Sequence, residues 1–179
     1  MSKDSALKTV SANLGIPPLW IDKLIRFESG WNPLAQNPYS GARGLIQFMP
    51  DTAKSMGYDD ADDLVSQYPD VESQLLGPVS AYLSKLKPFP TAQSLYMSVF
   101  YPVARTWPVT RTFPPDVLRV NPGIVTVGDY IKRVEGSHLE RDLMLIAMIG
   151  TVIYLAYDYY KHHKKELNLW PKRKQIELV

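Results

Sequence analysis

The sequence predicts a mainly α-helical protein that ends in a single membrane-spanning helix. Three observations lead there. Apolar residues recur at three- and four-residue spacing in one segment after another. Glycines and prolines punctuate those segments at their ends. Leu143 to Tyr157 then runs 15 residues with no charge. The expected organisation is a helical domain over 1–138, a transmembrane helix over 139–162 and a basic tail over 163–179.

The first helix is expected at about 4–14 and the second at about 18–29. Pro17 and Pro18 suit the opening turn of the second, and Gly30 and Pro33 end it. A loop follows, then a helix at about 51–56, with Asp51 placed to cap free N–H groups. A short helix is expected at 61–67, its acidic start (Asp59, Asp60, Asp62, Asp63) facing water. Asp70 to Lys87 reads as one longer helix with Val71, Leu75, Val79, Tyr82, Leu83 and Leu86 on one face. Another spans about 91–100. Pro102, Pro108, Pro114, Pro115 and Pro122 forbid a long helix after it, and a short one resumes at 129–134.

The uncharged C-terminal run, extended to Tyr160, would form a helix roughly 27 Å long, close to the ~30 Å of a bilayer core. Tyr154, Tyr157, Tyr159 and Tyr160 gather at one end, as an interfacial aromatic belt does. A buried core helix would also be apolar all round. Residues 161–179 hold six Lys or Arg against two Glu in a chain of net charge +2, so the basic character is local to the tail and suits anionic headgroups. The tail contains no nucleic-acid-binding module, and no nucleic-acid partner is expected. With no cysteine, disulfides, thiolate metal sites and a cysteine nucleophile are excluded. Of the histidines, His138, His162 and His163, two lie in the tail, and no phosphate-binding glycine loop occurs. No metal and no cofactor are expected. The positive-inside rule puts the tail in the cytoplasm and the helical domain outside, yet the polar start Met1-Ser2-Lys3-Asp4-Ser5 does not read as a signal peptide.

Glu28 is the leading candidate for chemistry. Ile21, Leu24 and Ile25 form the apolar stripe of the second helix, and Glu28 is its next position. It sits at the helix's C-terminal end. Burial and the negative end of the helix dipole both favour the protonated form, which is the form a general acid needs. A structural glutamate that caps or pairs is the alternative.

The flanking residues carry a resemblance. Glu28-Ser29-Gly30-Trp31-Asn32-Pro33, Ala35 and Gly41-Ala42-Arg43-Gly44-Leu45-Ile46-Gln47-Phe48-Met49-Pro50-Asp51-Thr52-Ala53 resemble the signature of lytic transglycosylases of the soluble, goose-lysozyme-like type. Ile46 stands where the family usually has Met. The family's Tyr-Asn-Ala-Gly run is replaced by Leu95-Tyr96-Met97-Ser98-Val99-Phe100-Tyr101-Pro102, which keeps the tyrosine, loses the asparagine and resembles phage-borne members. Asn121-Pro122-Gly123-Ile124 and Asp129-Tyr130-Ile131 are similar to phage members too, so the resemblance covers roughly 10–136.

The resemblance implies a lysozyme-like helical domain. It implies cleavage of the β-1,4 bond between N-acetylmuramic acid and N-acetylglucosamine in peptidoglycan, with a 1,6-anhydro product. Most glycoside hydrolases need two carboxylates. Here Glu28 would serve alone, first as acid and then as base on the sugar's own 6-hydroxyl. Ser29 would touch the substrate near the cleaved bond, or bond to a helix carbonyl. Gln47 would hydrogen-bond a sugar, or stand as an exposed polar residue. Gly41 and Gly44 would let the backbone turn and approach the substrate. Tyr96 and Tyr101 would line the groove, or sit buried with one satisfied hydroxyl. Trp31, Leu45, Phe48 and Met49 are read as core. The expected partners are peptidoglycan strands, membrane lipid and other virion proteins, in a phage particle with an internal membrane or, alternatively, at a bacterial inner membrane with the domain in the periplasm. A goose-type hydrolase and a non-catalytic glycan-binding virion or envelope protein are the rival readings.

Overall fold

A computed structural model describes residues 1–136, and Met1–His138 form one compact unit. The unit is helical. α1 (Lys3–Leu14) and α2 (Pro18–Ser29) lead to a long loop, then α3 (Pro50–Ser55) and α4 (Ala61–Gln67). α5 (Val71–Gln74) and α6 (Ser80–Leu86) flank a widened π turn at Leu75–Val79. α7 (Ala92–Phe100), a 3-10 turn at Pro102–Ala104 and α8 (Pro115–Val120) follow. A last helix, α9, covers 127–136. Three isolated bridges, Gln36 with Arg43, Arg43 with Phe48, and Thr112 with Thr126, are the extended pairings among the described residues.

The core is one apolar cluster fed by every part of the unit. α1 supplies Ala6, Leu7, Val10 and Leu14, and α2 supplies Ile21, Leu24 and Ile25. Leu45, Ile46 and Phe48 come from the loop, and Leu95, Tyr96 and Met97 from α7. Val127, Tyr130 and Val134 come from α9. Gly30 ends α2 as expected, and Gly15 closes α1 in the same way. Gly15 and Gly30 adopt φ of 69° and 60°, and the Gly30 N–H closes the helix on the Arg26 carbonyl.

Three element expectations need correction. The helix expected over Asp70–Lys87 is broken. Pro78 has no N–H to give, and Gly77 leaves helical geometry (φ −90°, ψ −106°). A Cβ on Gly77 would lie 2.5 Å from the Tyr68 ring, so the break also lets Tyr68 approach. α9 starts earlier than 129, because Thr126 and Asp129 bond reciprocally, backbone N–H to side chain in both directions (2.8 and 3.2 Å). Asp51 makes no capping bond. The N-cap of α3 is Met49, and Asp51 lies in the first turn, where its charge complements the dipole. Asp60 and Asp63 do bind backbone at the start of α4, accepting from the N–H of Asp63 and Asp59 respectively.

Among the described residues no helix is long and apolar enough to cross a membrane. The span expected over 139–162 and the basic tail lie outside the described residues.

Candidate active site

Glu28 stands in the last turn of α2, one residue before the terminal Ser29. Its carboxyl is enclosed by protein while the residue keeps partial exposure. That enclosure pushes its pKa up to about 7. Lost hydration is the dominant cause, and one hydrogen bond opposes it. The opposing donor is the hydroxyl of Tyr130, 2.7 Å from Oε1. Tyr130 comes from α9 and is fully buried, stacked on Phe100 (ring centroids 4.1 Å apart) and meeting Phe27 edge-on. Its own pKa is held far above the ordinary phenol range by burial and by the adjacent Glu28 charge, so it remains a donor.

This bond decides where the acid proton sits. A neutral carboxyl that accepts at Oε1 carries its hydrogen on Oε2. Tyr130 therefore reserves Oε2 as the proton-bearing oxygen. A tyrosine 102 residues away in sequence was not among the predicted site residues. The signal available was the resemblance around Asp129-Tyr130-Ile131, which named no role.

The loop between α2 and α3 is built against Glu28's helix end by two side chains. Ser29 donates to the carbonyls of Leu45 (2.9 Å) and Ile25 (3.2 Å). Its proton is thus spent on the protein, and its lone pairs are what it offers a ligand. Gln74 is buried and satisfies three backbone groups. It accepts from Leu45 N–H (2.9 Å) and donates to the carbonyls of Pro33 (2.7 Å) and Tyr68 (2.9 Å). Gly44 (φ 78°) would place a Cβ 2.7 Å from the Gln74 side-chain oxygen. The close approach expected at Gly44 is therefore made by Gln74.

Gln47 adopts φ 52°, a region that costs a non-glycine residue energy. Its amide donates to the Gly44 carbonyl at 3.0 Å, so its hydrogen on that side is engaged by the protein and the side-chain oxygen is the group it can offer as an acceptor. Tyr96 is fully buried and its hydroxyl donates to Glu135 (2.8 Å), so its ring offers no face to a sugar. Tyr101 is half-buried, packed edge-on against Trp107 and Phe113. Leu45 and Phe48 are core, Trp31 packs against it, and Met49, expected in the core, is 46% exposed. Trp31, also left-handed at φ 67°, is held by its indole N–H donating to Asp22 (3.0 Å) and by Lys3 over its ring. The structure thus brings Glu28, Ser29 and the Gln47 loop together, while Tyr96 lies in packed interior and Tyr101 stays half-buried against Trp107 and Phe113. Among the described residues no group of three His, Asp or Glu could hold a metal ion.

An enclosed carboxyl of raised pKa, at a helix end and oriented by a buried phenol, is the chemistry of a general acid.

Residues 6–76 match the family model of the Transglycosylase SLT domain.

The SLT match runs from α1 to the start of the π turn. It contains Glu28, Ser29, Gln47 and Gln74, and stops before Tyr96, Tyr101 and Tyr130. It supports a lytic transglycosylase-type, peptidoglycan-acting function and agrees with the helical, lysozyme-like architecture. No curated protein matches the chain.

Proposed function

We propose that the chain is a peptidoglycan lytic transglycosylase in which Glu28 performs both proton transfers. The observation that carries this reading is the enclosed Glu28 carboxyl, raised to about 7 and bonded through Oε1 to Tyr130, inside a segment matching the SLT domain. In the first step Oε2–H protonates the glycosidic oxygen between N-acetylmuramic acid and N-acetylglucosamine, and the C1–O bond breaks. In the second, the Glu28 carboxylate takes the proton of the muramic 6-hydroxyl as that oxygen bonds to C1. The 1,6-anhydro ring closes and the acid is regenerated. Such a group contributes about 10²–10⁴-fold. The Gln47 side-chain oxygen and the Ser29 lone pairs accept from sugar hydroxyl or amide groups.

A hydrolase would need a second carboxylate across the bond from the first. Glu135 is engaged by Tyr96 and Lys23, one on each oxygen. That favours the lytic reaction. The uncharged run Leu143–Tyr157 and the basic tail support anchorage in a membrane. The phage-like residues around Tyr96 support a virion membrane and local wall opening during genome entry.

Mass spectrometry of peptidoglycan digested by the full chain in detergent, beside Glu28→Gln, tests the reaction. Anhydro-muropeptides that disappear with Glu28→Gln are the expected result. Reducing-end products would make it a hydrolase, and glycan binding without turnover in the parent would make it a binding protein.

A further inference from the structure

The phenol that bonds Glu28 is the inner end of a row of aromatic rings. Tyr130 stacks on Phe100 with ring centroids 4.1 Å apart. Phe100 meets Phe113 edge-on at 5.3 Å, and Phe113 meets Trp107 at 6.3 Å. Tyr101 packs against both Phe113 and Trp107, at 5.8 and 5.7 Å. Each step is a direct ring contact, so the position of Trp107 is fixed relative to the acid. Tyr130 and Phe113 are buried, whereas Trp107 reaches the surface half-buried.

The row ends on a cation. The guanidinium carbon of Arg111 lies 3.7 Å from the centre of the Trp107 ring, and Arg111 is exposed. Its backbone is tied at both groups. The N–H donates to the Pro108 carbonyl (2.9 Å), and the carbonyl accepts from Val127 N–H (3.1 Å) at the start of α9, the helix that carries Tyr130. Among the described residues the Arg111 guanidinium forms no ion pair and no hydrogen bond. A planar fork of donors is thus held in place with no acceptor, the arrangement that binds a carboxylate through two N–H groups.

Shielding the Trp107 ring explains the contact but not the charge around it. Residues 101–136 hold five Lys or Arg against three Asp or Glu, whereas 1–100 hold eight against ten. Val109 and Thr110, beside Arg111 in the chain, line a cavity of about 510 Å³ with Thr126 and Lys132 in its wall. Charge narrows the ligand. N-acetyl sugars are neutral, so the glycan backbone supplies no partner for Arg111. The stem peptide on each muramic lactyl group carries free carboxylates.

We propose that Arg111, held on Trp107, binds a carboxylate of a peptidoglycan stem peptide while the glycan strand lies at Glu28. This rests on the reading of the chain as a peptidoglycan lytic transglycosylase.

The test titrates the full chain in detergent, carrying Glu28→Gln so that strands stay uncut, by calorimetry with two probes. One is uncross-linked glycan strands that bear stem peptides. The other is the same strands after an amidase has removed the stems. Stem-bearing strands should bind more tightly, and the preference should shrink as salt rises from about 50 to about 300 mM. Adding Arg111→Met keeps an alkyl cover on Trp107. It should weaken binding of stem-bearing strands about three- to tenfold and leave stem-free binding unchanged. Arg111→Lys should restore part of the loss. Equal weakening on both probes makes Arg111 a structural cover and overturns the proposal, as does unchanged binding of stem-bearing strands. Equal binding of the two probes before Arg111 is changed overturns it too, whether or not the variants fold. No binding to either probe, together with no turnover by the parent chain, removes the transglycosylase reading itself. Glu28-dependent turnover without a preference for stems removes the role of Arg111 alone.

Discussion

Glu28 works against the stability of its own fold, and the sign can be worked out. Its pKa is raised from 4.5 in the unfolded chain to about 7 in the folded protein. Between those values the folded state binds more protons, so stability falls as pH rises through that window and the full penalty holds above it. Glu28→Gln keeps an acceptor for Tyr130 and cannot ionise. It should therefore abolish turnover yet stabilise the protein by about 3 kcal/mol at pH 8, with the gain gone near pH 4, a difference that urea unfolding at both pH values would show. Tyr130→Phe removes the donor that lowers the Glu28 pKa. The alkaline limb of kcat/KM should move above 7, while kcat drops about tenfold because the acid proton loses its fixed oxygen. An alkaline limb that moves down would contradict this account. Glu28 was legible in the sequence, since its helical stripe and its flanking motif point to it independently. Tyr130 was not, because a phenol aimed at a carboxyl and a phenol filling a core have the same local pattern.

At the scale of elements, the loop that carries Gln47 is held by side chains distant in sequence. Gln74 joins Pro33, Leu45 and Tyr68, so Gln74→Leu should destabilise the fold by about 3 kcal/mol by leaving buried backbone groups unpaired. Denaturant unfolding would measure it, and activity per folded molecule should fall as well, since the same bonds place the loop beside Glu28. The break at Gly77-Pro78 has a similar origin. Periodicity extends one helix from Asp70 to Lys87, whereas Pro78 and the approach of Tyr68 split it. Gly77→Ala should cost about 1–3 kcal/mol, because the Tyr68 ring must move. Boundaries set by local chemistry were readable, as at Pro18 and Gly30. The earlier start of α9 depends on the Thr126–Asp129 bonds and was missed by a pattern that counts apolar residues.

For the whole molecule, the helical unit and the C-terminal run make separate predictions. The full chain should co-float with anionic lipid vesicles, and a chain ending at residue 138 should remain unbound. Equal flotation of both would remove the membrane proposal. The sequence by itself determined the helical class, the candidate acid and the peptidoglycan-directed family resemblance. Each is written in short-range spacing, and local propensity and motif are properties of neighbouring residues. Only the tertiary structure decided that Tyr130 holds Oε1, that Gln74 rather than a ligand crowds Gly44, and that Tyr96 turns inward to Glu135. Those contacts join residues 29 to 102 positions apart, at angles and depths that packing of the complete core selects.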